Sequence, residues 1–291
     1  MNHEMIQWTS GNVRIEVSNL GAELQSVCVG DGKNLLWDKQ DQFWNRVAPN
    51  LFPIVGRLKD DKYRFMGQDF LMKQHGFARD CTFSVVENDS QALRLRLVWD
   101  EATFRAYPFH FQYDVIYSAQ GGLLWVDYEI SNLGEGPMLY SVGGHPGFAI
   151  HGALESYELR FEEKFAADRW MIDGAYYSGA TERLEVDGTI LLRDDLFAKD
   201  AIVFRQPPFS RVSLCEKGGE KLLDFVCPEW DAVGFWTKQG APFFCIEPWW
   251  GWADSWADTG ELSAKQGMYT LVGGAFKQHR YGFGLIDRFC G

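Results

Sequence analysis

Two of the six histidines lie in glycine-containing segments that interrupt the hydrophobic pattern of the chain. His75 precedes Gly76, and His145 lies between Gly144 and Pro146. Glycine lets the backbone turn sharply or approach a ligand closely, and proline fixes the chain beyond His145. A histidine with an ordinary pKa of ~6.5 can donate or accept a proton near neutral pH. His75 and His145 are therefore candidates for proton transfer, although either could instead satisfy a hydrogen bond within a loop.

A carboxylate follows an apolar run that is typical of a buried strand. Glu247 comes directly after Phe243-Phe244-Cys245-Ile246. Burying an ionised carboxylate is costly unless it is paired, and burial raises its pKa toward the range that suits a general base. Glu247 is therefore a candidate proton acceptor. The alternative that the sequence leaves open is a structural ion pair with an arginine.

Two arginines accompany these groups. Arg57 follows Gly56 after an apolar stretch, and Arg79 lies four residues after His75. A guanidinium group forms paired hydrogen bonds to carboxylates and phosphates, and it can reach vicinal hydroxyls in the same way. Arg57 and Arg79 are therefore candidate substrate-binding residues. The structural alternatives are an ion pair with a strand carboxylate for Arg57 and bracing of a loop for Arg79.

Tryptophans are concentrated just after Glu247. Indole faces can stack on the apolar faces of sugar rings, but such a cluster can equally be a packed corner. Trp249 is the candidate sugar contact. The cluster comprises Trp249, Trp250, Trp252 and Trp256.

Metal and cofactor motifs are absent from the sequence. No HxH, HExxH or paired CxxC spacing occurs, and there is no phosphate-binding glycine loop or GxSxG nucleophile motif. His75, His145 and Glu247 could form a two-histidine, one-carboxylate site, but their spacing does not favour metal binding over proton transfer. We expect neither a metal nor an organic cofactor.

Strands separated by turns dominate the chain between these segments. Apolar and polar residues alternate over residues 13–17, 93–97, 109–117 and 124–130, the period of half-buried strands. Strand and turn recur about every 8–12 residues, as in sandwiches and barrels. Helical patterns are scarce, with short helical turns expected near residues 37–44 and 254–258. The sequence predicts an all-β fold, a large antiparallel β-sandwich forming a single domain over residues 1–291.

Composition limits the function classes. The net charge of −12 disfavours nucleic acids and anionic membranes as partners. No apolar run reaches the ~18 residues of a membrane span, and residues 1–10 lack a signal-peptide pattern. We expect a cytoplasmic protein, a monomer or a homodimer, whose six cysteines are reduced.

Taken together, these segments give the chain a resemblance to the aldose 1-epimerase (galactose mutarotase-like) family that runs nearly end to end. The segments that carry it are Asn19-Leu20-Gly21-Ala22-Glu23-Leu24-Gln25-Ser26, Leu35-Leu36-Trp37, Leu51-Phe52-Pro53-Ile54-Val55-Gly56-Arg57-Leu58, His75-Gly76-Phe77-Ala78-Arg79, Tyr107-Pro108-Phe109, Gly144-His145-Pro146-Gly147-Phe148 and Glu247-Pro248-Trp249-Trp250-Gly251.

The resemblance implies a β-supersandwich that interconverts the α and β anomers of aldoses without a cofactor. It implies that Glu247 is the general base that takes the anomeric proton and His145 the general acid that protonates the ring oxygen. His75 would orient the sugar, and Arg57 and Asp200 would bind it. A glutamate with a raised pKa and a histidine near neutrality suit this ring opening.

The continuations after Arg57, His145 and Glu247 resemble the branch with LacX-like proteins and hexose-6-phosphate mutarotases. A neutral hexose and a hexose phosphate both remain open as substrates. An alternative is a carbohydrate-binding protein without catalysis, motivated by the tryptophan-rich segment. A third possibility, a glycoside hydrolase or lyase, usually needs two facing carboxylates, and only Glu247 has a convincing context.

Overall fold

A computed structural model describes residues 3–30 and 32–284, and strands make up most of its regular structure. Twenty-four strands lie in this part of the chain. The first twelve are β1 (Met5–Ser10), β2 (Val13–Ser18), β3 (Glu23–Val29), β4 (Asn50–Leu51), β5 (Lys62–Phe65), β6 (Gln68–Leu71), β7 (Ser84–Asn88), β8 (Leu93–Val98), β9 (Phe111–Gln120), β10 (Leu123–Asn132), β11 (Met138–Tyr140) and β12 (Val142–Gly144). The others are β13 (Gly147–Ala149), β14 (Tyr157–Arg160), β15 (Phe165–Asp173), β16 (Tyr176–Val186), β17 (Thr189–Leu191), β18 (Ile202–Arg205), β19 (Arg211–Glu216), β20 (Lys221–Val226), β21 (Ala232–Trp236), β22 (Phe243–Trp250), β23 (Tyr269–Leu271) and β24 (Phe276–Gly284).

Two large antiparallel sheets dominate the architecture. The nine-stranded sheet has the order β17-β14-β19-β20-β24-β10-β9-β8-β7. The eight-stranded sheet has the order β16-β15-β18-β21-β22-β12-β4, with β13 also paired to β22. A three-stranded sheet, β1-β2-β3, and the two-stranded pairs β5-β6 and β11-β23 complete the set. The prediction of a large antiparallel β-sandwich is confirmed, while a single domain over residues 1–291 stays a prediction.

The four segments in which apolar and polar residues alternate all form strands. They correspond to β2, β8, β9 and β10, and only the 109–117 segment starts later than predicted, at Phe111. Leu93, Leu95 and Leu97 on β8 are buried, while the arginines between them are partly exposed. The alternation succeeds as a predictor because side chains on a strand point alternately to its two faces.

The hydrophobic core lies between the two large sheets and is rich in aromatic rings. Phe148 on β13 contacts Phe283 on β24 with ring centres 5.0 Å apart. Phe52, which follows β4, stacks on Tyr113 of β9 at 4.6 Å. Rings of this size bury large apolar areas, which is the main favourable contribution to folding. Much of the aromatic excess of the sequence is therefore core.

Helices are few and short. The α-helix of the described residues, α1 (Glu101–Ala106), begins with a capping box in which Asp100 and Thr103 bond reciprocally. The 3₁₀-helices are Lys59–Asp61, Ala78–Asp80, Leu154–Ser156, Asp194–Phe197 and Leu262–Ala264. The sequence analysis missed α1. Residues 37–44 and 254–258 contain hydrogen-bonded turns rather than helices.

Five cysteines have free thiols, and Cys290 lies outside the described residues. The five are Cys28, Cys81, Cys215, Cys227 and Cys245. None of the helices in residues 3–30 and 32–284 is long and apolar enough to cross a membrane.

Candidate active site

Strand β22 has one face in the core and the other on a cavity. Residues opposite each other in paired strands share a face, as do residues two apart along a strand. Glu247 lies opposite Gly234 of β21, which lies opposite Val203 of β18. Phe244 and Ile246 point the other way and join the main core. The alternation therefore places Glu247 on the floor of the cavity.

The cavity has a volume of about 320 Å³, within the ~300–1,000 Å³ range of small-molecule sites. Tryptophan rings and polar side chains form its wall. The charged and polar members are Gln74, His75, Arg79, His145, Tyr177, Asp200, Arg205 and Glu247. The tryptophans are Trp44, Trp170, Trp236, Trp249 and Trp252.

His145 and Glu247 are in direct contact. Nε2 of His145 lies 3.2 Å from Oε2 of Glu247, and the two side chains are 11% and 3% exposed. The imidazole ring packs against Trp44 at 4.7 Å and edge-on to Trp236 at 5.5 Å. The backbone N–H of His145 donates to the carbonyl of Pro49. The imidazole is therefore held in one orientation against the carboxyl group, in a position that bulk water does not reach freely.

His75 lies beside this pair, with its ring centre 5.8 Å from that of His145. The backbone N–H of Gly56 donates to its Nδ1 at 3.1 Å. A neutral imidazole that accepts at Nδ1 carries its proton on Nε2, so His75 is assigned as a donor there, with the side-chain amide of Gln74 3.3 Å from that nitrogen. His75 has a φ of 66°, and Gly76 follows with a φ of 71°. A Cβ at Gly76 would lie 2.2 Å from the carbonyl oxygen of Phe52, so only glycine fits this turn.

Burial shifts the protonation of all three groups. It raises the pKa of Glu247 well above its usual value, and nearby Asp200 adds to the rise. It lowers the pKa of His145 to about 3, and the charge of Arg79 acts in the same direction. Contact with Glu247 favours protonated His145, but two groups this buried disfavour charge, so we take the pKa of His145 as lowered. The pKa of His75 is lowered well below its usual value by burial, Arg79 and His145.

The rise for Glu247 agrees with the sequence analysis, whereas a histidine pKa near neutrality does not describe His145. With the pKa of Glu247 raised and that of His145 lowered, burial favours a pair that holds one proton between its two members. That proton can occupy either the carboxyl group or the imidazole without changing the total charge of the pair. Such a pair can take a proton from one atom of a ligand and give one to another.

Side-chain polar atoms without a partner are concentrated in residues of the cavity wall. Among the described residues, six buried side-chain nitrogen or oxygen atoms have no hydrogen-bond partner, and four of them belong to cavity residues. Buried polar groups are nearly always hydrogen-bonded, so each exception calls for an explanation. Unmet hydrogen-bonding capacity is therefore concentrated around the cavity. The four atoms are Nε of Arg79, Nδ1 of His145, Nε of Arg205 and Nε1 of Trp249.

Arg57 lies outside the cavity wall in this structure. Its Nε and Nη2 donate to the two carboxylate oxygens of Asp61 at 2.7 and 2.6 Å. Its guanidinium carbon also lies 5.6 Å from the centre of the Tyr176 ring. The structure therefore gives Arg57 an ion pair, as its structural alternative predicted, but with a carboxylate of the 3₁₀-helix Lys59–Asp61 rather than of a strand.

The other predicted binding residues line the cavity. Arg79 donates from Nη2 to the carbonyl of Gln74 at 2.7 Å, which braces the loop and leaves Nε unpaired. Asp200 has a φ of 91°, and burial raises its pKa. Trp249 is 9% exposed, and its ring lies across Gly234, where a Cβ would come within 2.9 Å of the indole. The indole N–H of Trp249 has no acceptor that satisfies hydrogen-bond geometry. It still lies close enough to Glu247 to act against the rise that burial causes in the pKa of that carboxyl group.

The sequence analysis missed a group of cavity residues except for Trp252, which it named only as part of the tryptophan cluster. Arg205, Trp170, Tyr177 and Trp252 make up this group. The available signal was an arginine ending the apolar strand β18, two residues from Val203 and thus on the same face. This arginine can be placed in the cavity only when the pairing of β18, β21 and β22 is known.

A metal ion could be held on the cavity floor by three residues. The ligand atoms of His145, Cys245 and Glu247 lie within 4.8 Å of one another. Burial and Glu247 raise the pKa of the Cys245 thiol well above its usual value. A thiol must lose its proton to bind a metal, so this set is poorly prepared for one.

A sequence profile described as Aldose 1-epimerase matches residues 4–173 of the chain. The protein named LacX, chromosomal, from Lactococcus lactis subsp. lactis is 28% identical over 259 residues, covering 83% of this chain and 86% of that protein.

Solved structures are similar over almost the whole chain. A galactose mutarotase related enzyme from Lactobacillus acidophilus is 30% identical with a TM-score of 0.92, covering 97% of both chains. A galactose mutarotase-like protein from Lactobacillus casei is 26% identical with a TM-score of 0.89, covering 97% of this chain and 99% of that chain.

Proposed function

Because the chain belongs to the aldose 1-epimerase family, we propose that it interconverts the α and β anomers of a hexose or a hexose phosphate by acid–base ring opening. The observation that carries this proposal is the buried contact of 3.2 Å between His145 and Glu247 on the floor of a sugar-sized cavity. Ring opening needs one group to remove a proton from O1 and another to protonate the ring oxygen. This pair, holding one proton between its members, meets that requirement.

In the proposed reaction, Glu247 as carboxylate takes the proton of the anomeric hydroxyl while C1–O1 becomes a carbonyl. The C1–O5 bond breaks, its electron pair stays on O5, and the proton of His145 passes to O5. The pair then consists of a carboxylic acid and a neutral imidazole, the uncharged form that burial favours. Rotation of the aldehyde and reversal of both transfers close the ring as the other anomer.

The remaining polar groups of the cavity hold the sugar in this proposal. Nε2–H of His75 donates to a sugar oxygen, and the guanidinium group of Arg79 does the same from the neighbouring loop. Asp200 accepts from a sugar hydroxyl and, through its charge, keeps the pKa of Glu247 high. Trp249 covers one side of the bound ring. Arg57 contacts the sugar in this proposal only if the ligand displaces Asp61 from its guanidinium group.

The test is an anomerisation assay by polarimetry or by NMR saturation transfer with freshly dissolved α-D-glucose, α-D-galactose and glucose 6-phosphate. We expect acceleration over the spontaneous rate for at least one sugar. General acid–base groups contribute ~10²–10⁴-fold each, well above the detection limit of either method. Acceleration of none of the three refutes the proposal, and sugar binding by calorimetry without acceleration would identify a carbohydrate-binding protein instead.

A further inference from the structure

Arg205 is held between two tryptophan rings in the cavity wall. Its guanidinium carbon lies 3.7 Å from the centre of the Trp170 ring and 3.6 Å from that of Trp252. Trp170 also stacks on Tyr177 at 3.8 Å. Trp252 lies against Gly267, where a Cβ would come within 2.7 Å of the indole. Because cation–π contacts fix the arginine between packed rings, the guanidinium is in place before a ligand arrives.

The charge of Arg205 has no protein counter-ion. Across the described residues, no carboxylate comes within ion-pair distance of it, and its buried Nε–H has no acceptor. Burial lowers the pKa of Arg205, and the charge of Asp231, which lies beyond ion-pair distance and accepts a hydrogen bond from Tyr269, does not outweigh this effect. A partly buried cation without an ion-pair partner carries a desolvation cost that its cation–π contacts offset only in part, and a bound anion offsets more of it than a neutral hydroxyl does.

The charge balance of the whole cavity points the same way. Arg79 is a second cation in the wall, and its Nε is unpaired. The cavity carboxyl groups are Asp200 and Glu247, which act on each other, and neither is among the charges that shift the pKa of Arg205. The end of the cavity at Arg205 therefore carries a local positive charge, in a chain whose net charge is −12.

The position of Arg205 separates it from the catalytic pair. Arg205 lies opposite Ala232, which lies opposite Trp249, so it is two strands across and two residues along from Glu247. With ~4.8 Å between strands and ~3.3 Å per residue, their Cα atoms are about 12 Å apart. Both side chains reach into the space between them. A sugar whose anomeric carbon contacts Glu247 would direct its far end toward Arg205.

We propose that Arg205 binds an acidic group that the sugar carries at a position remote from the anomeric carbon, so that the preferred substrates are anionic hexoses. This inference rests on the proposed anomer interconversion. A phosphate monoester and a carboxylate share the required chemistry, because the oxygens of either accept hydrogen bonds from the exposed edge of a guanidinium group. The phenol of Tyr177, adjacent in the stack, can donate a further hydrogen bond.

The test compares kcat/KM for glucose 6-phosphate, glucuronate and glucose by NMR exchange in wild type, Arg205→Met and Arg205→Lys. A hydrogen-bonded charge is worth ~1.5–3 kcal/mol, or roughly 10- to 150-fold in kcat/KM. We expect wild type to prefer at least one anionic sugar over glucose by such a factor. Arg205→Met should remove most of that preference, and Arg205→Lys should retain part of it.

Arg193→Met is the matched control. Arg193 is exposed and pairs with Asp195, and its substitution removes the same unit of charge as Arg205→Met. It should leave the anionic-to-neutral ratio unchanged, and thermal unfolding establishes that each variant folds. Preference for the phosphate alone or for glucuronate alone identifies the acidic group and supports the proposal. An anionic-to-neutral ratio near one in wild type, or one that Arg205→Met leaves unchanged, overturns it.

A wild type that accelerates only neutral sugars overturns the inference and leaves the proposed function standing. If wild type accelerates no sugar, the proposed function fails, and calorimetry with glucose 6-phosphate decides about the anion site separately. Binding that Arg205→Met abolishes supports the site. Binding that this substitution leaves intact, or no binding by wild type, overturns it.

Discussion

Replacing Glu247 with glutamine should abolish most of the activity and stabilise the fold. The amide keeps the shape of the side chain and can still hydrogen-bond to His145, but it cannot accept a proton from a sugar hydroxyl. A general base contributes ~10²–10⁴-fold, so the barrier should rise by about 2.7–5.5 kcal/mol. The side chain is only 3% exposed, which leaves little room for a water molecule to act as a substitute base.

The stability change follows from the direction of the pKa shift. The folded protein holds the proton of Glu247 above the pH at which the unfolded chain releases it, because burial raises this pKa in the folded state. Wild type therefore loses stability as the pH rises from about 4.5 toward the folded pKa, by up to ~1.4 kcal/mol per pH unit. Glutamine has no such dependence, so the advantage of Glu247→Gln should grow over this window.

The assay is denaturant unfolding of wild type and Glu247→Gln at about pH 4.5 and about pH 7.5, with anomerisation rates for both. Glu163→Gln serves as the control, because Glu163 is exposed and its substitution makes the same chemical change on the surface. Activity within tenfold of wild type, or a stability difference that shrinks as the pH rises, refutes the reasoning about this carboxyl group.

Three further predictions concern the pair, a turn and an ion pair. Burial lowers the pKa of His145 to about 3, so the pair should gain a second proton only well below pH 5. The value of kcat/KM should therefore not fall as the pH is lowered from about 7 to about 5, and a fall with an apparent pKa near ~6.5 would contradict this. Gly76→Ala should cost clearly more stability than Gly218→Ala in denaturant unfolding, because both have positive φ but only Gly76 also meets Phe52; equal costs would show that the contact is relieved. Arg57→Met should change kcat/KM by less than about fivefold, because its partly exposed ion pair is worth ~1 kcal/mol or less; a larger loss would mean that Arg57 leaves Asp61 to bind the sugar.

The sandwich was predictable from sequence because its signal is local. Strands such as β8 and β10 are recognisable because apolar and polar residues alternate along them with period two. Glycine-containing turns mark where many of the strands end. The short helix α1 escaped notice because six residues do not give a helical stripe, although the pair Asp100 and Thr103 marks its start. The turn residues near 37–44 contain too few consecutive bonds to extend into a helix.

The site was partly predictable for a different reason. His75, His145 and Glu247 each lie beside glycine or proline or at the end of an apolar run, so their local contexts stand out. Arg205 and its tryptophans do not stand out, because Trp170 and Trp252 are 35 and 47 residues from it and meet only through strand pairing. The ion pair of Arg57 with Asp61 depends on the 3₁₀-helix Lys59–Asp61, which contains positive φ values that no sequence pattern indicated.

Strand β22 supplies Phe244 and Ile246 to the core and Glu247 and Trp249 to the cavity from one continuous backbone. It is hydrogen-bonded to β21 on one side and to β12 and β13 on the other. Its amides are therefore expected to exchange with solvent only through opening of the whole sandwich. The carboxyl group that we propose as the general base is fixed to this backbone, so we expect differences in substrate among related sandwiches to lie in the loops and around Arg205 rather than on β22.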